Sequence, residues 1–415
     1  MADEKKMIIG IDLSKEYIQA CYMLNDMTEP ESVILGFASK SYQIPSQGYK
    51  KKGENKWAFG DTGKQYYEEG DYIKVDDIIG RVVKSEPIEL DEEKYMPMDI
   101  LECLLRFVLK ECVRVTDIEV VSRIAVCVDR FQKKYLDMLK TVLNRMDFKD
   151  EDILLLNHTD CFVYYALNAS EELYRRGVSM FDFDGSRVVY SYMNYASLEN
   201  KTVVMVDSSR DKVNSKDPAA VDAELAKLAG RYMDMCAPSA VYLTGEGFEK
   251  YDKLDEFLKV AVGRRRAFIG PNLYAKGAAI GAFEVFYGGN YKNRVLATDD
   301  RILADIDIDI LEREKEKVYR AIRVGTNWYS ASKKLRFLVS GNAGLNIHIK
   351  PIEKKPDQDI SFSLEDFPKR PDRMTKIVVE IEFSSASACR IAVKDAGFGD
   401  FYKSSDKVIC KDIRL

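Results

Sequence analysis

Histidine is almost absent from this chain of 415 residues, which contains only His158 and His348. Catalysis based on histidine and metal sites rich in histidine are therefore nearly excluded. The eight cysteines are scattered and include no Cys-x-x-Cys pair, so we expect reduced thiols in the core rather than disulfides or a zinc framework. No apolar run approaches the length of a membrane span, and the charged start of the chain lacks the apolar segment of a signal peptide. These absences predict a cytoplasmic protein without a membrane partner.

The charge of the chain is nearly balanced, with 63 basic and 68 acidic side chains and a net charge of -5. The two signs are interspersed, without the basic patch that binds a phosphate backbone, so we expect no nucleic-acid partner. Hydrophobic residues make up 46% of the chain, which is ordinary for a folded protein, and the length allows two to four domains.

Residues 7–22 predict a β-hairpin with an acid at the end of its first strand. Gly10 permits close approach of another backbone, Asp12 ends the strand, and residues 13–16 form the turn. An acid at a strand end, followed by turn amides, suits a hydrated Mg²⁺ ion and a phosphate chain. The structural alternative is an acid that only caps the turn.

The same form recurs at residues 178–194, where an apolar strand ends at Asp182, turns through residues 183–186 and returns. An internal duplication of this kind places two acids and two turns across one cleft. Around the hairpins, strands alternate with helices, which predicts an α/β sheet. The other predicted strands cover residues 32–37, 120–128, 152–156, 201–206 and 239–243. A short helix is predicted from residue 62, and longer ones at residues 98–113, 132–145, 157–168, 221–236, 252–262 and 272–286. Thr159 or Asp160 is the predicted cap of the helix at 157–168. Residues 207–218 are predicted to form a loop.

The last of these helices, at residues 272–286, is rich in glycine and alanine and must pack very closely against another element. The sequence leaves open whether that element belongs to this chain or to a partner. Beyond residue 301 the pattern changes to strict alternation, and about seven short strands predict an all-β sandwich. These strands are expected at residues 304–310, 317–324, 335–339, 345–350, 360–364, 377–383 and 390–394. We therefore divide the chain into an α/β domain (1–287), a linker (288–300) and a β-sandwich (301–415).

Taken in order, these segments resemble the heat-shock-protein-70 chaperones of the actin-like ATPase superfamily. IIGIDLSKEY (8–17) resembles the first phosphate loop of that family, and MFDFDGSRVV (180–189) lies where the second would be. YLTGEGF (242–248) resembles its adenosine motif, and YAKGAAIGA (274–282) its second connecting helix. The resemblance implies an α/β actin-like ATPase domain, of the duplicated ribonuclease-H-like fold with a shortened second lobe, followed by a β-sandwich similar to the chaperone's substrate-binding domain.

The resemblance also implies a cofactor and two sites. The cofactor is ATP or ADP with Mg²⁺, and a site with no cofactor is the alternative. The implied nucleotide contacts are Asp12, Ser14, Lys15, Asp182, Gly185, Ser186, Gly245, Glu246 and Gly247, with Mg²⁺ at Asp12 and Asp182. The alternative for residues 245–247 is a plain turn that starts a helix. A peptide or protein partner is expected on the sandwich near Leu338, Ser340, Gly341 and Leu345, where the two leucines could equally be core residues.

Departures from the family pattern argue against efficient ATP hydrolysis. Residues 14–16 read Ser-Lys-Glu in place of Gly-Thr-Thr, and the family's phosphate-contacting lysine falls on Asp76. His158 replaces a carboxylate that positions water, and we interpret it as a structural residue at a helix start rather than a base. The sequence thus predicts a chaperone-like binding or scaffold protein, a degenerate and truncated member of the family without an assigned catalytic residue. The alternatives are a slow chaperone ATPase that uses Lys15 with His158 or Asp160, and a small-molecule kinase of the same superfamily.

Overall fold

A computed structural model describes residues 6–116, 118, 120–198, 201–251, 253–270, 272–289, 293–340, 344–352 and 355–415. The chain forms two compact units. The first consists of Met1–Tyr195 and Met205–Lys292, and the second of Ala196–Val204 and Asn293–Leu415. The first unit mixes helices with sheets, whereas the second consists mainly of strands, so the protein as a whole is of mixed α/β type.

The elements up to residue 174 begin with six strands, after which helices and strands largely alternate. In chain order they are β1 (Met7–Leu13), β2 (Tyr17–Leu24), β3 (Glu31–Ser32), β4 (Gln43–Pro45), β5 (Gly48–Lys51), β6 (Trp57–Ala58), α1 (Gly60–Glu68), β7 (Tyr72–Val75), α2 (Ile78–Lys84), β8 (Ile88–Leu90), β9 (Glu93–Tyr95), α3 (Pro97–Thr116), β10 (Val121–Val128), α4 (Lys133–Arg145), β11 (Ile153–Asn157), α5 (His158–Leu167) and α6 (Glu171–Tyr174).

The same alternation continues to residue 283. The elements are β12 (Val178–Phe183), β13 (Arg187–Leu198), β14 (Lys201–Lys212), α7 (Pro218–Met233), β15 (Ala240–Thr244), α8 (Gly247–Lys250), α9 (Asp255–Ala261), β16 (Arg266–Ile269) and α10 (Leu273–Phe283). A π-helical turn, Glu284–Gly288, follows α10.

The two large sheets repeat one strand order. The first runs β11-β10-β1-β2-β3, and the strands of the second run β16-β15-β12-β13-β14. In each sheet the first strand of a hairpin, β1 or β12, pairs antiparallel with its hairpin partner and parallel with a later strand. β1 is buried along its whole length, as expected for a strand covered on both faces. The repeat gives Asp12 and Asp182 equivalent positions at the ends of β1 and β12.

Helix α10 packs against the first sheet and α5 within this chain, which answers the question that the sequence left open. A Cβ atom at Gly277 would lie 2.0 Å from the backbone oxygen of Cys161, and one at Gly10 would lie 2.3 Å from that of Ala275. Cys21 also donates a hydrogen bond from its thiol to the oxygen of Ala275, at 2.9 Å. Glycine is required at both contacts because any side chain would collide with the opposing backbone.

The second unit contains two antiparallel sheets of four strands, with the orders β19-β18-β21-β22 and β20-β23-β24-β25. Its elements are β17 (Arg294–Ala297), β18 (Ala304–Glu312), β19 (Lys315–Ile322), β20 (Lys333–Val339), β21 (Leu345–Pro351), β22 (Gln358–Phe362), β23 (Thr375–Ser385), β24 (Ala388–Asp395) and β25 (Val408–Arg414). Along β23 the buried residues alternate with outward ones, as in a sheet with one covered face.

Most of the predicted helices and strands are confirmed within a few residues, but the strand predicted at 32–37 is wrong. Only its first residue is in a strand, and Gly36 and Ser41 then exchange two backbone hydrogen bonds that turn the chain. The loop predicted at 207–218 is also wrong in its first half, since β14 continues to Lys212. Polar pairs with β13, such as the hydroxyls of Ser191 and Ser208 at 3.0 Å, replace the apolar contacts that a strand usually shows.

Three smaller differences separate the sequence prediction from the structure. The cap of α5 is neither Thr159 nor Asp160, because the Asn157 side chain accepts the hydrogen bond from the Asp160 amide at 2.7 Å. The range 288–300, predicted as a linker, contains the strand β17, while residues 290–292 lie outside the described residues. Several strands, among them β5, β7, β8, β9, β16 and β25, have no counterpart among the predicted strands.

Candidate functional site

Asp12 is the most deeply buried acid of the repeated hairpins, with an exposed fraction of 0%. The Ser14 hydroxyl donates to its two carboxylate oxygens at 3.0 and 3.1 Å, and Nε2 of His158 lies 2.7 Å from Oδ1. Burial alone would lower the pKa of His158, but the charge of Asp12 and the hydrogen bond to it outweigh burial and raise that pKa well above its usual value. Asp12 and His158 therefore form a buried ion pair.

Asp182, at the equivalent position of the second sheet, is bound by Tyr274 of α10. The Tyr274 hydroxyl donates to Oδ2 of Asp182 at 2.7 Å. Burial raises the pKa of Asp182 to about 6, although the hydrogen bond from Tyr274 and the charge of His158 act in the opposite direction. The Tyr274 ring stacks on the His158 imidazole, with centroids 3.9 Å apart and planes within 5° of parallel. Asp12, His158, Tyr274 and Asp182 thus form a continuous line of contacts, which we call the buried row.

The turn after β12 is held by its own carboxylate. Asp184 accepts hydrogen bonds from the backbone amides of Ser186 and Arg187 at 2.8 and 2.7 Å, and from their side chains at 2.8 and 3.0 Å. Burial alone would raise the pKa of Asp184, but these four donors outweigh it and lower the pKa below its usual value. The amides of this turn are therefore occupied by a group of the protein itself.

Residues 245–247 pack directly against that turn. A Cβ atom at Gly245, whose φ is +101°, would lie 2.4 Å from the oxygen of Phe183, and one at Gly247 would lie 2.5 Å from the amide of Gly185. Burial first, and then the charges of Glu249 and Glu16, raise the pKa of Glu246 between these glycines. The two glycines serve close packing, and Glu246 adds an acid beside the turn.

A cavity of about 400 Å³ opens beside the buried row. Five of the residues predicted for the nucleotide site line it, namely Ser14, Lys15, Asp182, Gly245 and Glu246. Asp12 lies beneath Ser14, and the remaining three, Gly185, Ser186 and Gly247, form the adjoining turns. The structure therefore brings all nine predicted residues to one place.

Comparison with known proteins gives two family matches in succession. Residues 29–299, more than half of the chain, match a family described as "Family of unknown function (DUF5716) C-terminal". This chain belongs to the DUF5716 family. Residues 301–415 match a second domain, described as "Domain of unknown function (DUF8552)". A comparison with curated proteins found no match. Among the described residues of this DUF5716 protein, no helix is long and apolar enough to cross a membrane.

Two charged residues that bear on a phosphate site, Arg187 and Asp76, are paired with other side chains. Arg187 lies 3.7 Å from Glu16 and 3.0 Å from Asp184, so its charge is shared between two acids at the mouth. Asp76, on which the family's phosphate-contacting lysine would fall, is exposed and pairs with Lys74 at 2.9 Å.

Sequence reasoning missed two residues of this site, Cys127 and Tyr274. Cys127 lies directly beside Asp12 across the parallel pair β1 and β10, and Tyr274 is the second residue of α10. A signal for Cys127 existed, because it comes near the end of a predicted buried strand, and the carboxyl ends of parallel strands meet at one edge of a sheet. No local pattern marks Tyr274, which was included only as part of a small-residue helix.

The residues predicted for peptide binding are not brought to one face. Leu338 lies on β20, at the edge of one sheet, and 53% of its surface is exposed. Leu345 lies on β21 of the other sheet and is only 7% exposed, so it is a core residue, as the alternative interpretation had it. The Ser340 hydroxyl donates to Asp372 at 3.2 Å. Gly341 lies outside the described residues.

Proposed function

We propose that the first unit has the actin-like ATPase fold without its nucleotide chemistry, and that this DUF5716 protein acts as a chaperone-like binding or scaffold protein. The observation that carries the proposal is the buried row, which connects Asp12 to Asp182 through His158 and Tyr274. The repeated strand order of the two sheets supports the fold, because a duplicated sheet with an antiparallel hairpin at its centre is what the resemblance implies.

The buried row leaves neither acid free for a hydrated Mg²⁺ ion. The imidazolium of His158 already neutralises Asp12, and Tyr274 occupies one oxygen of Asp182. A hydrated Mg²⁺ ion takes oxygen ligands, so it would bind Asp12 and leave His158 without its partner. Breaking a buried ion pair in this way typically costs about 3–5 kcal/mol. That cost corresponds to a loss of roughly two to four powers of ten in affinity.

The turns fit a phosphate chain no better. Anions bind at turns and helix starts through free backbone amides, whereas the Asp184 carboxylate occupies the amides of Ser186 and Arg187. Six acidic side chains and four lysine or arginine side chains line the cavity, so the excess of acids disfavours a polyphosphate. Together these contacts favour a site without ATP and without efficient ATP hydrolysis.

A calorimetric titration of the full chain with ATP and ADP, with and without Mg²⁺, tests this proposal. We expect no binding up to about 1 mM nucleotide, because the acids and amides of the site are internally paired. Micromolar binding that needs Mg²⁺ and disappears in Asp12→Ala would contradict it and support the slow ATPase. Thermal melts of the same samples check that the variant is folded, since bound nucleotide would raise the melting temperature.

We propose that the edge strand β20 of the second unit carries the binding role. Within the described residues β20 pairs only with β23, and Leu338 projects from it on the same face as the exposed basic residue Arg336. An edge strand of this kind accepts an extended peptide through backbone hydrogen bonds, with alternate side chains setting specificity. We therefore propose an extended peptide or protein segment that carries apolar and acidic residues as the partner.

Fluorescence anisotropy with a labelled peptide of alternating leucine and glutamate tests the binding role. Leu338→Asp should weaken binding at least about tenfold, because it puts an acid in place of the apolar contact. Val408→Asp is the matched control, since Val408 is 47% exposed on β25 at the opposite edge of the same sheet. Equal affinities for both variants and the unmodified protein would remove β20 as the binding site.

A further inference from the structure

The carboxyl edge of the first sheet gathers three different metal-binding side chains. Asp12 is the last residue but one of β1, Cys127 is its neighbour across the ladder on β10, and His158 follows the last residue of β11. One ligand atom from each lies within 4.8 Å of the other two. Asp12 and Cys127 are fully buried, and His158 lines the cavity of about 400 Å³ through which an ion could enter.

The chemistry of this set differs from that of a magnesium site. Mg²⁺ takes oxygen ligands and keeps several waters, whereas a thiol sulfur and an imidazole nitrogen are ligands of Zn²⁺ and related metals. We propose that Asp12, Cys127 and His158 bind a Zn²⁺ ion, which displaces one proton from the Cys127 thiol and one from the His158 imidazolium into solvent. The inference rests on the proposed function in one respect, namely that the site does not bind Mg²⁺ and nucleotide. It adds the metal ion that these three side chains would bind instead.

The spacing of the ligands agrees with a tetrahedral ion. Zinc bonds of about 2.0 to 2.3 Å place neighbouring ligand atoms roughly 3.2 to 3.8 Å apart. Nε2 of His158 and Oδ1 of Asp12 are now in direct hydrogen bond at 2.7 Å, so the ion would separate this pair by less than about 1 Å. Three protein ligands leave one position for water or another small ligand, which is the arrangement of an open zinc site.

Contacts behind the ligands fix their orientation. The Ser14 hydroxyl holds the Asp12 carboxylate, and the Tyr274 ring holds the plane of the His158 imidazole. The thiols of Cys127 and Cys161 share a hydrogen bond, and Cys161 lies on the first turn of α5, close to His158 in sequence. Supporting contacts of this kind orient ligands before the ion arrives and strengthen its binding.

Cobalt is the probe for this site, because Co²⁺ replaces Zn²⁺ and absorbs visible light when tetrahedral, with a further near-ultraviolet band when a thiolate is bound. The full chain is freed of metal by dialysis against a chelator and titrated with Co²⁺ alone. We expect both bands to saturate at a single Co²⁺ per chain and to vanish when Zn²⁺ is added. Absence of both bands at Co²⁺ concentrations up to about 100 μM would overturn the inference.

Three variants localise the site. Cys127→Ser should remove the thiolate band, and His158→Gln should weaken Co²⁺ binding at least about tenfold. Cys112→Ser is the matched control, since Cys112 is an equally buried thiol of α3 outside the cluster. A thiolate band that survives Cys127→Ser would assign the metal to another cysteine and overturn the inference, and His158→Gln answers the same question if Cys127→Ser does not fold.

The outcomes of the metal and nucleotide experiments distinguish failure of the zinc site from failure of the proposed function. Micromolar Mg²⁺-dependent nucleotide binding would overturn the proposed function, and with it the premise of a zinc site. Absence of both nucleotide and Co²⁺ binding would overturn the zinc site alone and leave the buried row as a purely internal ion pair.

Discussion

A buried ion pair holds the end of β24 in the second unit, and breaking it should be costly. Two guanidinium nitrogens of Arg370 lie 2.6 and 2.7 Å from the two carboxylate oxygens of Asp395, and the side chains are 3% and 0% exposed. Arg370→Ala should lower the free energy of unfolding by about 3–5 kcal/mol, because it leaves a buried charge without its partner. Urea unfolding at pH 7 measures the change.

The matched control for that variant is the second bidentate pair of β24. Arg390 binds Asp412 at 2.7 and 3.0 Å, but both side chains are exposed to solvent. Arg390→Ala should leave the free energy of unfolding nearly unchanged, since exposed pairs contribute little. Similar losses for the two variants would show that burial does not set the strength of the Arg370 pair.

The same carboxylate predicts a dependence on pH. Burial alone would raise the pKa of Asp395, but hydrogen bonds from Arg370, Ser405 and Gly397 outweigh it and hold the pKa far below its usual value. Asp395 therefore contributes stability above the unfolded pKa of about 3.9, and the contribution is lost as the pH falls below that value toward the folded pKa. The difference in unfolding free energy between the unmodified protein and Asp395→Asn should shrink from pH 6 to pH 3. A constant difference would contradict the prediction.

Single residues of the site were only partly predictable from the sequence. Asp12 and Asp182 stand out locally, because each ends an apolar strand before a polar turn. His158 gives no such signal, since its partner Asp12 is 146 positions away and only the parallel pairing of β1, β10 and β11 brings them together. Residue types and local spacing can therefore find strand-end acids but not what neutralises them.

At the scale of elements, the close contact between helices α10 and α5 can be tested by adding a side chain at Gly277. Gly277→Ala would place a Cβ atom 2.0 Å from the oxygen of Cys161 and should lower the free energy of unfolding by about 1–3 kcal/mol. Gly230→Ala in α7 is the matched control, because its nearest contact would be an ordinary 3.9 Å from Val260. That variant should be neutral or stabilising by up to about 1 kcal/mol, as for alanine in an open helix position. Thermal or urea unfolding compares the two, and equal effects would show that α10 can move away from α5.

Elements with a clear period were predictable, and polar ones were not. The apolar residues of α3 recur at helical spacing and its interior ones are buried, so its bounds differ from the prediction by only a few residues. β14 was missed beyond Val206 because residues 207–212 are all polar, and their place in the strand depends on pairing with β13. The local sequence pattern predicts an element whose residues are buried in a regular period. It fails for an element that forms only because a neighbouring strand pairs with it.

At the scale of the first unit, the duplicated sheets are connected through the buried row. The sequence predicted the duplication from its two hairpins, but the contact between the halves depends on α5 and α10, which supply His158 and Tyr274. His158 binds Asp12 of one half, Tyr274 binds Asp182 of the other half, and the rings of His158 and Tyr274 stack on each other. The row should therefore transmit a change at Asp12 to Asp182.

A double-mutant cycle measures this coupling. Tyr274→Phe keeps the ring but removes the hydrogen bond to Asp182, and His158→Ala removes the imidazolium between Asp12 and Tyr274. Loss of a hydrogen bond to a buried acid should cost about 1–3 kcal/mol in Tyr274→Phe. Because stacked and charged neighbours are not independent, the double variant should depart from the sum of the single variants by about 0.5–3 kcal/mol in unfolding free energy. Additivity within about 0.5 kcal/mol would mean that the two acids are satisfied separately and that the halves share a core but no electrostatic connection.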